Sequence, residues 1–546
     1  MKSLFSDPVP HDLDRSVGER LTRLRPLVAA FALACASGTA HAASAMRPGD
    51  VPPDGSVTRE DGTPLRVALR AWHEDAKRNA SPPSPHATVR PVTNCDDDGP
   101  GSLRAVVAGS AGGDIVDLTA LTCGVISLET GGIGAHVDGL SIIGPGADRL
   151  TIDGNHLDRV LLHYGGQGFL LRGLTIANGY RHATGFNLGI GGCIASAGYL
   201  TLDHSVVSGC YVAGEGGYGG AIYAYSLIMM SSTLSGNIAY GVHPNAGTAA
   251  FGGAAFVYQV DLVNSTVSGN FATHRDNPPL TSYDIGGGIV TIRGGYVINS
   301  TIDSNYATGR GGGLATFGNI KVSNSTISGN GAGTFGAGGL FIRWPANLDM
   351  RNSTVTANRA PDGGGILLGS PNATIMSSII AGNEARYVAD LSSGARQIAI
   401  NGTDNLIGSN SAIIAMPLGT LRGDPRLRPL AYNGGPTRTH ALRDDSPVID
   451  AGDNPAELSS DQRGDGYPRV VGTAADIGAF EYDARAVSGT ALPVPSSSGW
   501  MMSLLLSLTA MLGLFALRRT STRRASSERV NLRCKRDRFR SRLTGF

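Results

Sequence analysis

The chain has 546 residues, 77 of them glycine, with 6% aromatic and 16% charged residues, against about 7% glycine and about 25% charge in an ordinary globular domain. Glycine this abundant without a three-residue period excludes collagen, and six cysteines are too few for a disulfide scaffold of this length. The formal charge of +1 hides a split: eleven Lys/Arg against two Asp/Glu from Arg518 onward, five against four in residues 1–42, and 29 against 38 between, an acidic body that argues against nucleic-acid binding.

Residues 1–42 carry Lys2, Arg15, Arg20, Arg23 and Arg25, then an apolar run at 27–36 and the small-x-small site Ala40-His41-Ala42. This reads as a secretory signal peptide with a long basic region. Residues 43–90 form a Pro/Ala-rich linker, with one short helix expected around 65–77. Folding begins at Thr93-Asn94-Cys95, with a short helix expected over 102–108 and a strand over 114–118.

From there one phrase repeats. A glycine opens an apolar segment, and seventeen residues later it ends as in Ser325-Thr326-Ile327-Ser328-Gly329-Asn330, with copies ending at Asn237, Asn270 and Asn358 and weaker ones at Cys210, Asn305 and Asn383. The opening glycines recur every 25 to 35 residues, so the unit is fixed and the connections vary, as in a solenoid. In the unit Ile320 and Val322 alternate with polar residues and point inward, and the equivalents of Val322 are Leu202, Met229, Leu262, Val297, Met350 and Ile375. The equivalents of Asn324 at the following bend (His204, Ser231, Asn264, Asn299, Asn352 and Ser377) suggest a polar ladder. The row Asn237, Asn270, Asn305, Asn330, Asn358, Asn383 suggests turns with positive φ. Short β-branched strands with no helix between them indicate a parallel β-helix of about eleven coils over residues 91–400. Cys95 and Cys123, 28 apart, fit a disulfide between stacked coils. Cys193 and Cys210, 17 apart and short of a full turn, are the second disulfide candidate or two small buried residues.

Thr93-Asn94-Cys95 with Gly99-Pro100-Gly101-Ser102-Leu103-Arg104, followed by the repeated glycine and Asn-Ser-Thr-Val-Ser-Gly-Asn phrases, resembles bacterial exported right-handed β-helix proteins of the pectate-lyase-like superfamily. Asn433-Gly434-Gly435-Pro436-Thr437, Ser446-Pro447-Val448-Ile449-Asp450-Ala451-Gly452 and Asp476-Ile477-Gly478-Ala479-Phe480-Glu481 resemble the choice-of-anchor Q domain, a C-terminal cap over 401–482. Residues 483–499 are a linker with the Pro motif Leu492-Pro493-Val494-Pro495, residues 500–517 an apolar transmembrane helix, and residues 518–546 a basic cytoplasmic tail. That ending resembles tripartite C-terminal sorting signals of the IPTL-CTERM kind. The resemblances imply an all-β protein exported by a bacterium of Gram-negative type and membrane-anchored or surface-exposed, its C-terminus handled by sorting machinery.

Catalysis on an acidic polysaccharide needs carboxylates clustered on adjacent coils, as calcium ligands or an acid/base pair. The outward rows read Thr201, Ile228, Asp261, Tyr296, Lys321, Asp349, Thr374 and Asp203, Met230, Val263, Ile298, Ser323, Arg351, Met376. Neither stacks two carboxylates, so no catalytic residue and no cofactor is assigned. Asp450, Asp453, Asp461, Asp465, Asp476 and Glu481 with Arg463 and Arg469 suggest an Arg–carboxylate network that pins irregular backbone, with calcium as the alternative. The twelve histidines show no ligand spacing.

Two long connections, after Asn237 and Asn270, flank the coils where the outward row turns apolar at Met230, Val263 and Ile298. They either fold over that stripe or wall a ligand groove with it. The groove would use Tyr283 and Tyr296 as stacking platforms and Arg275 and Asp284 as polar contacts. The expected function is a binding or structural module that contacts glycans or surfaces, with a polysaccharide lyase or glycoside hydrolase as the alternative.

Overall fold

The computed structural model describes residues 87–484 except 184–188, 215, 242–248, 275–283, 335 and 395–396. The signal peptide, nearly all of the linker, the apolar segment 500–517 and the basic tail lie outside the described residues. Among the described residues no helix is long and apolar enough to cross a membrane.

One coil shows how the repeat folds. Leu314–Thr316 is a strand, a bend at Phe317-Gly318-Asn319 follows, and Ile320–Ser323 continues the same sheet. Asn324 turns the chain at φ 51°, Thr326–Ser328 forms the second sheet, Gly329 turns it again at φ 65°, and Gly331–Ala332 forms the third. Each strand pairs in parallel with its equivalent one coil away, with an eleven-stranded second sheet and a six-stranded third. The result is an all-β parallel solenoid of the right-handed type with about ten turns between the eleven rungs.

The core follows the alternation. Val322 pairs with Val297 on one side and Met350 on the other, and the whole inward row from Leu202 to Ile375 is 0% exposed. Parallel strands buried on their inner face need apolar side chains at every second residue, and the repeat supplies them.

The two polar rows exchange the roles that the sequence suggested. His204, Ser231, Asn264, Asn299, Asn324, Asn352 and Ser377 hold the left-handed conformation, with φ between 44° and 51°. The second turn takes its positive φ one residue before the asparagine, at Gly236, Gly269, Ser304, Gly329, Ala357 and Gly382. That frees the asparagines to point inward as the true ladder. Asn330 Oδ1 accepts from Asn305 N at 3.0 Å and Asn305 Nδ2 at 2.9 Å, and the pattern repeats from Asn237 to Asn383. A second buried ladder runs from Ser205 through Ser232, Ser265, Ser300, Ser325 and Ser353 to Ser378, each backbone N–H reaching the next hydroxyl. Ladders of this kind satisfy the corners that a tight turn would leave orphaned.

Both cysteine pairs are disulfides. Cys95–Cys123 has Cα atoms 6.5 Å apart and Cys193–Cys210 5.4 Å. Cys193 starts its coil as Gly313 starts another, and Cys210 sits where the ladder asparagine would be. The pair therefore spans the interior of one coil, in place of the close approach of Asn330 Cγ to Gly313, where an added Cβ would lie only 3.1 Å away. It closes the ladder at its N-terminal end, where Cys210 N donates to Asn237 Oδ1 at 3.0 Å.

The N-terminal end is covered by the helix Leu103–Ala108, capped by Ser102, with Leu103 and Val107 buried. At the other end strands continue to Ile414–Ala415, past residue 400. Residues 424–482 lie along the side of the stack, across the outer face of the eleven-stranded sheet. Thr301 Oγ1 donates to Arg438 O, Thr326 Oγ1 to Gln462 Oε1, and Ala479 N to Thr354 Oγ1, at 2.6, 2.6 and 3.1 Å. Ile379 and Leu406 pack against Val448, Ile477 and Phe480 of that segment.

Candidate functional site

The outer face of the long sheet is divided into covered stripes and an open lane. The register places Asp203, Met230, Val263, Ile298, Ser323, Arg351 and Met376 in one outward column. Met230, Val263 and Ile298 are buried, and Ala456 and Leu458 of the lateral segment pack on the last two. Val263 and Ile298 are thus covered by the C-terminal segment. The described ends of the long connections meet a different stripe: Phe251 and Ile285, with Tyr218 of the preceding coil, lie on Tyr223, Phe256 and Val290 of the strand before the bend.

Between these stripes runs the column Thr201, Ile228, Asp261, Tyr296, Lys321, Asp349, Thr374, one rung per coil. Tyr296, Lys321 and Asp349 are half-buried and Asp261 is 6% exposed. Lys321 Nζ stands 5.7 Å above the Tyr296 ring, and Arg351 Nε donates to Asp349 Oδ1 at 2.9 Å. A row at the bend borders the lane. Tyr225 stacks on Tyr258 at 5.0 Å, the Arg293 guanidinium lies 5.3 Å over Tyr258, and the Arg343 guanidinium 5.0 Å over Phe317. Tyr199 and Trp344 extend this row and are 46% and 53% exposed. The sequence reading missed it because the bend varies in length, which breaks the repeat alignment at the register shift between Ser196 and Tyr199.

The lane offers cations, ring edges and hydroxyls along one axis. Asp261 and Asp349 stand three rungs apart, roughly 14 Å at about 4.8 Å per rung, beyond the reach of an acid/base pair on one glycosidic bond. Among the described residues no three His, Cys, Asp or Glu side chains gather as a metal site.

The other expected groove residues do not join this column. Asp284 is 1% exposed at another corner of the coil, where Oδ1 accepts from Ala250 N at 2.7 Å and Oδ2 meets His274 Nδ1 and Thr308 Oγ1. A buried carboxylate held by a backbone amide, a hydroxyl and an imidazole anchors the coil corner. Tyr283 and Arg275 lie outside the described residues.

Asp461, Arg463, Arg469, Asp476 and Glu481 form a buried network, whereas Asp450, Asp453 and Asp465 of the expected cluster are exposed. Asp461 pairs with Arg463 at 2.6 Å and accepts from Arg463 N and Glu481 N, both at 2.8 Å. Arg463 lies between the Tyr467 and Phe480 rings, 4.0 and 3.8 Å from their centres. Asp450 and Asp476 likewise accept from backbone N–H groups. Glu481 accepts from Val471 N, Asp476 N and Arg469 Nη2 at 2.9, 2.9 and 3.1 Å. Burial pushes its carboxyl up from 4.5 to about 7, against the pull of Arg469. A raised carboxyl stabilises the fold fully below the unfolded value, and that contribution is lost as pH rises through the folded one. The expected Glu481 contribution is a fall in stability between pH 4.5 and about 7, on the order of 3 kcal/mol. It acts alongside His163 and His440, whose values, lowered by burial, give the opposite slope, and Asp476, whose carboxyl, raised by burial, adds to it. Thermal melts of the wild type and Glu481→Gln across that range check it. The difference between the two curves should carry the fall, and a pH-independent difference would assign the slope to another group.

No family model matches the chain, and no curated protein matches it. Among solved structures the crystal structure of pectate lyase Pel9A is similar, with 13% identity and a TM-score of 0.37 over 74% of this chain and 99% of that one. A likeness of that size carries no argument about function. The fold is established by the strand register itself.

Proposed function

We propose that the protein is an exported cell-envelope or surface solenoid that binds an extended glycan along the open lane of its long sheet. The observation that supports this is the lane itself. It is a straight, one-residue-per-coil column in which Tyr296, Lys321 and Asp349 are half-buried and reach solvent, bordered by aromatic and guanidinium groups and lying between two stripes that the chain covers with its own segments. A rigid linear array of polar and aromatic groups matches a linear polymer better than a compact ligand. The separation of Asp261 from Asp349 favours binding over hydrolysis. In the same reading residues 1–42 direct export and residues 500–517 anchor the C-terminus in a membrane, with choice-of-anchor Q and sorting-signal roles for the segments that resemble them. Mass spectrometry of the mature ends tests that part, and a mature protein retaining residues 1–42 would remove export by this signal.

The binding test uses the purified protein on a panel of soluble glycans, with Tyr296→Ala/Lys321→Ala as the variant. Loss of both contacts should weaken binding at least about tenfold, or about 1.4 kcal/mol, while the melting temperature stays near that of the wild type. Binding unchanged in the variant would place the site elsewhere. A calcium-dependent rise in ultraviolet absorbance on polyuronate would replace this reading with a lyase.

A further inference from the structure

The outer face of the six-stranded sheet carries a second column. The register aligns Tyr180, Tyr211, Ile238, Phe271, Tyr306 and Gly331, and isolated bridges extend it to Arg359 and Glu384. Its neighbours one residue on, Val212, Ala239, Ala272 and Ala307, are 0% exposed and form the inner face. Phe271 and Tyr306 are 42% and 37% exposed. The rings of Tyr180 and Tyr211 stack at 5.4 Å and those of Phe271 and Tyr306 meet at 6.4 Å. The stacked Tyr180 and Tyr211 rings spend their faces on each other, and the Phe271 and Tyr306 rings, tilted by 45°, present edges as well as faces, which suits a packed protein surface better than the faces of sugars.

The charges at the two ends are complementary. Tyr180 N donates to Asp158 O, which puts Asp158 one coil above the column, and Asp158 pairs with Arg181 at 3.8 Å. At the other end Arg359 pairs with Glu384 at 3.7 Å; the side chains of Arg181 and Asp158 are about half exposed and those of Arg359 and Glu384 largely exposed. Counted outward from the midpoint between Ile238 and Phe271, Asp158 and Arg359 are the same number of rungs away. Between them the column from Tyr180 to Gly331 carries no charge.

We infer that this column is a self-complementary interface for a second copy of the chain, docked antiparallel about a two-fold axis at that midpoint. A two-fold interface repeats each contact twice. Turning the column over sets Ile238 on Phe271 of the partner subunit, aromatic half on aromatic half, with Asp158 facing the partner's Arg359 at both ends. The apolar middle supplies affinity and the end charges set the register.

Sedimentation of the purified full chain across a dilution series tests this. The wild type should show a concentration-dependent species of twice the monomer mass. Phe271→Asp should abolish the dimer without lowering the melting temperature. Asp158→Arg should weaken the dimer, and adding Arg359→Asp in the same chain should restore it. A wild type that stays monomeric at every concentration, a dimer indifferent to Phe271→Asp, or a monomer whose glycan binding is lost in Phe271→Asp would each overturn the inference.

Discussion

Val322→Asp is expected to destabilise the solenoid by on the order of 4 kcal/mol or more, enough to unfold a marginally stable coil stack. Val322 is 0% exposed and lies between Val297 and Met350 in a column where every side chain is buried. A carboxylate there has no cation or donor within the column, so it must stay protonated or drag water into the core. Lys321→Asp, one residue away on the outer face, should change stability by less than about 1 kcal/mol, because a half-buried surface charge is worth little either way. Urea unfolding of both variants decides the matter. Equal losses would mean that the two residues do not face opposite sides.

Asn330→Leu should cost a comparable amount by a different route. Asn330 Oδ1 accepts two donors from Asn305, at 3.0 and 2.9 Å, and its Nδ2 donates to Ile302 O and Asn358 Oδ1, both at 2.9 Å. Leucine preserves the volume, leaves Asn305 N without its acceptor and removes one bond each from Asn305 Nδ2, which keeps Val267 O, Ile302 O, and Asn358 Oδ1, which keeps Asn330 N. At about 1–3 kcal/mol for an unsatisfied buried group and less for each partner that keeps a bond, the loss should be on the order of 3 kcal/mol. Thr266→Val, on the open part of the outer face, serves as the comparison. If Asn330→Leu unfolds no earlier than Thr266→Val, the ladder is decoration and the apolar column alone holds the stack.

These two positions mark what could be read from residues alone. The register of Val322 was legible because alternation in a short strand admits one inward choice, and every repeat repeats it. The ladder was legible as a row of asparagines but not as to which row, since φ is set by the neighbour at Gly329 and leaves no mark on Asn330 itself. The Cys193–Cys210 bridge was undervalued because 17 residues were measured against a coil, although the same 17 separate Gly313 from Asn330 across a coil's interior. The covering of Val263 and Ile298 by Ala456 and Leu458 was not legible, because no periodicity relates residues so far apart in the chain. The candidate lane lay half in view: Tyr296 and Lys321 fell in the aligned unit, while Tyr258 and Arg343 fell at bends of unequal length.

A stack of coils is, thermodynamically, a one-dimensional array in which each member is coupled only to its two neighbours, so it can fray from a free end in small steps. The lateral segment changes that coupling. Its residues bond Ser268, Thr301, Thr326, Thr354 and Ser377 and pack on Leu406, on six successive rungs. No single coil among them can detach without loosening a tether shared by the others. Half of the array thereby acquires a second-dimension coupling, and its melting unit is set by the reach of that tether instead of by the size of one repeat.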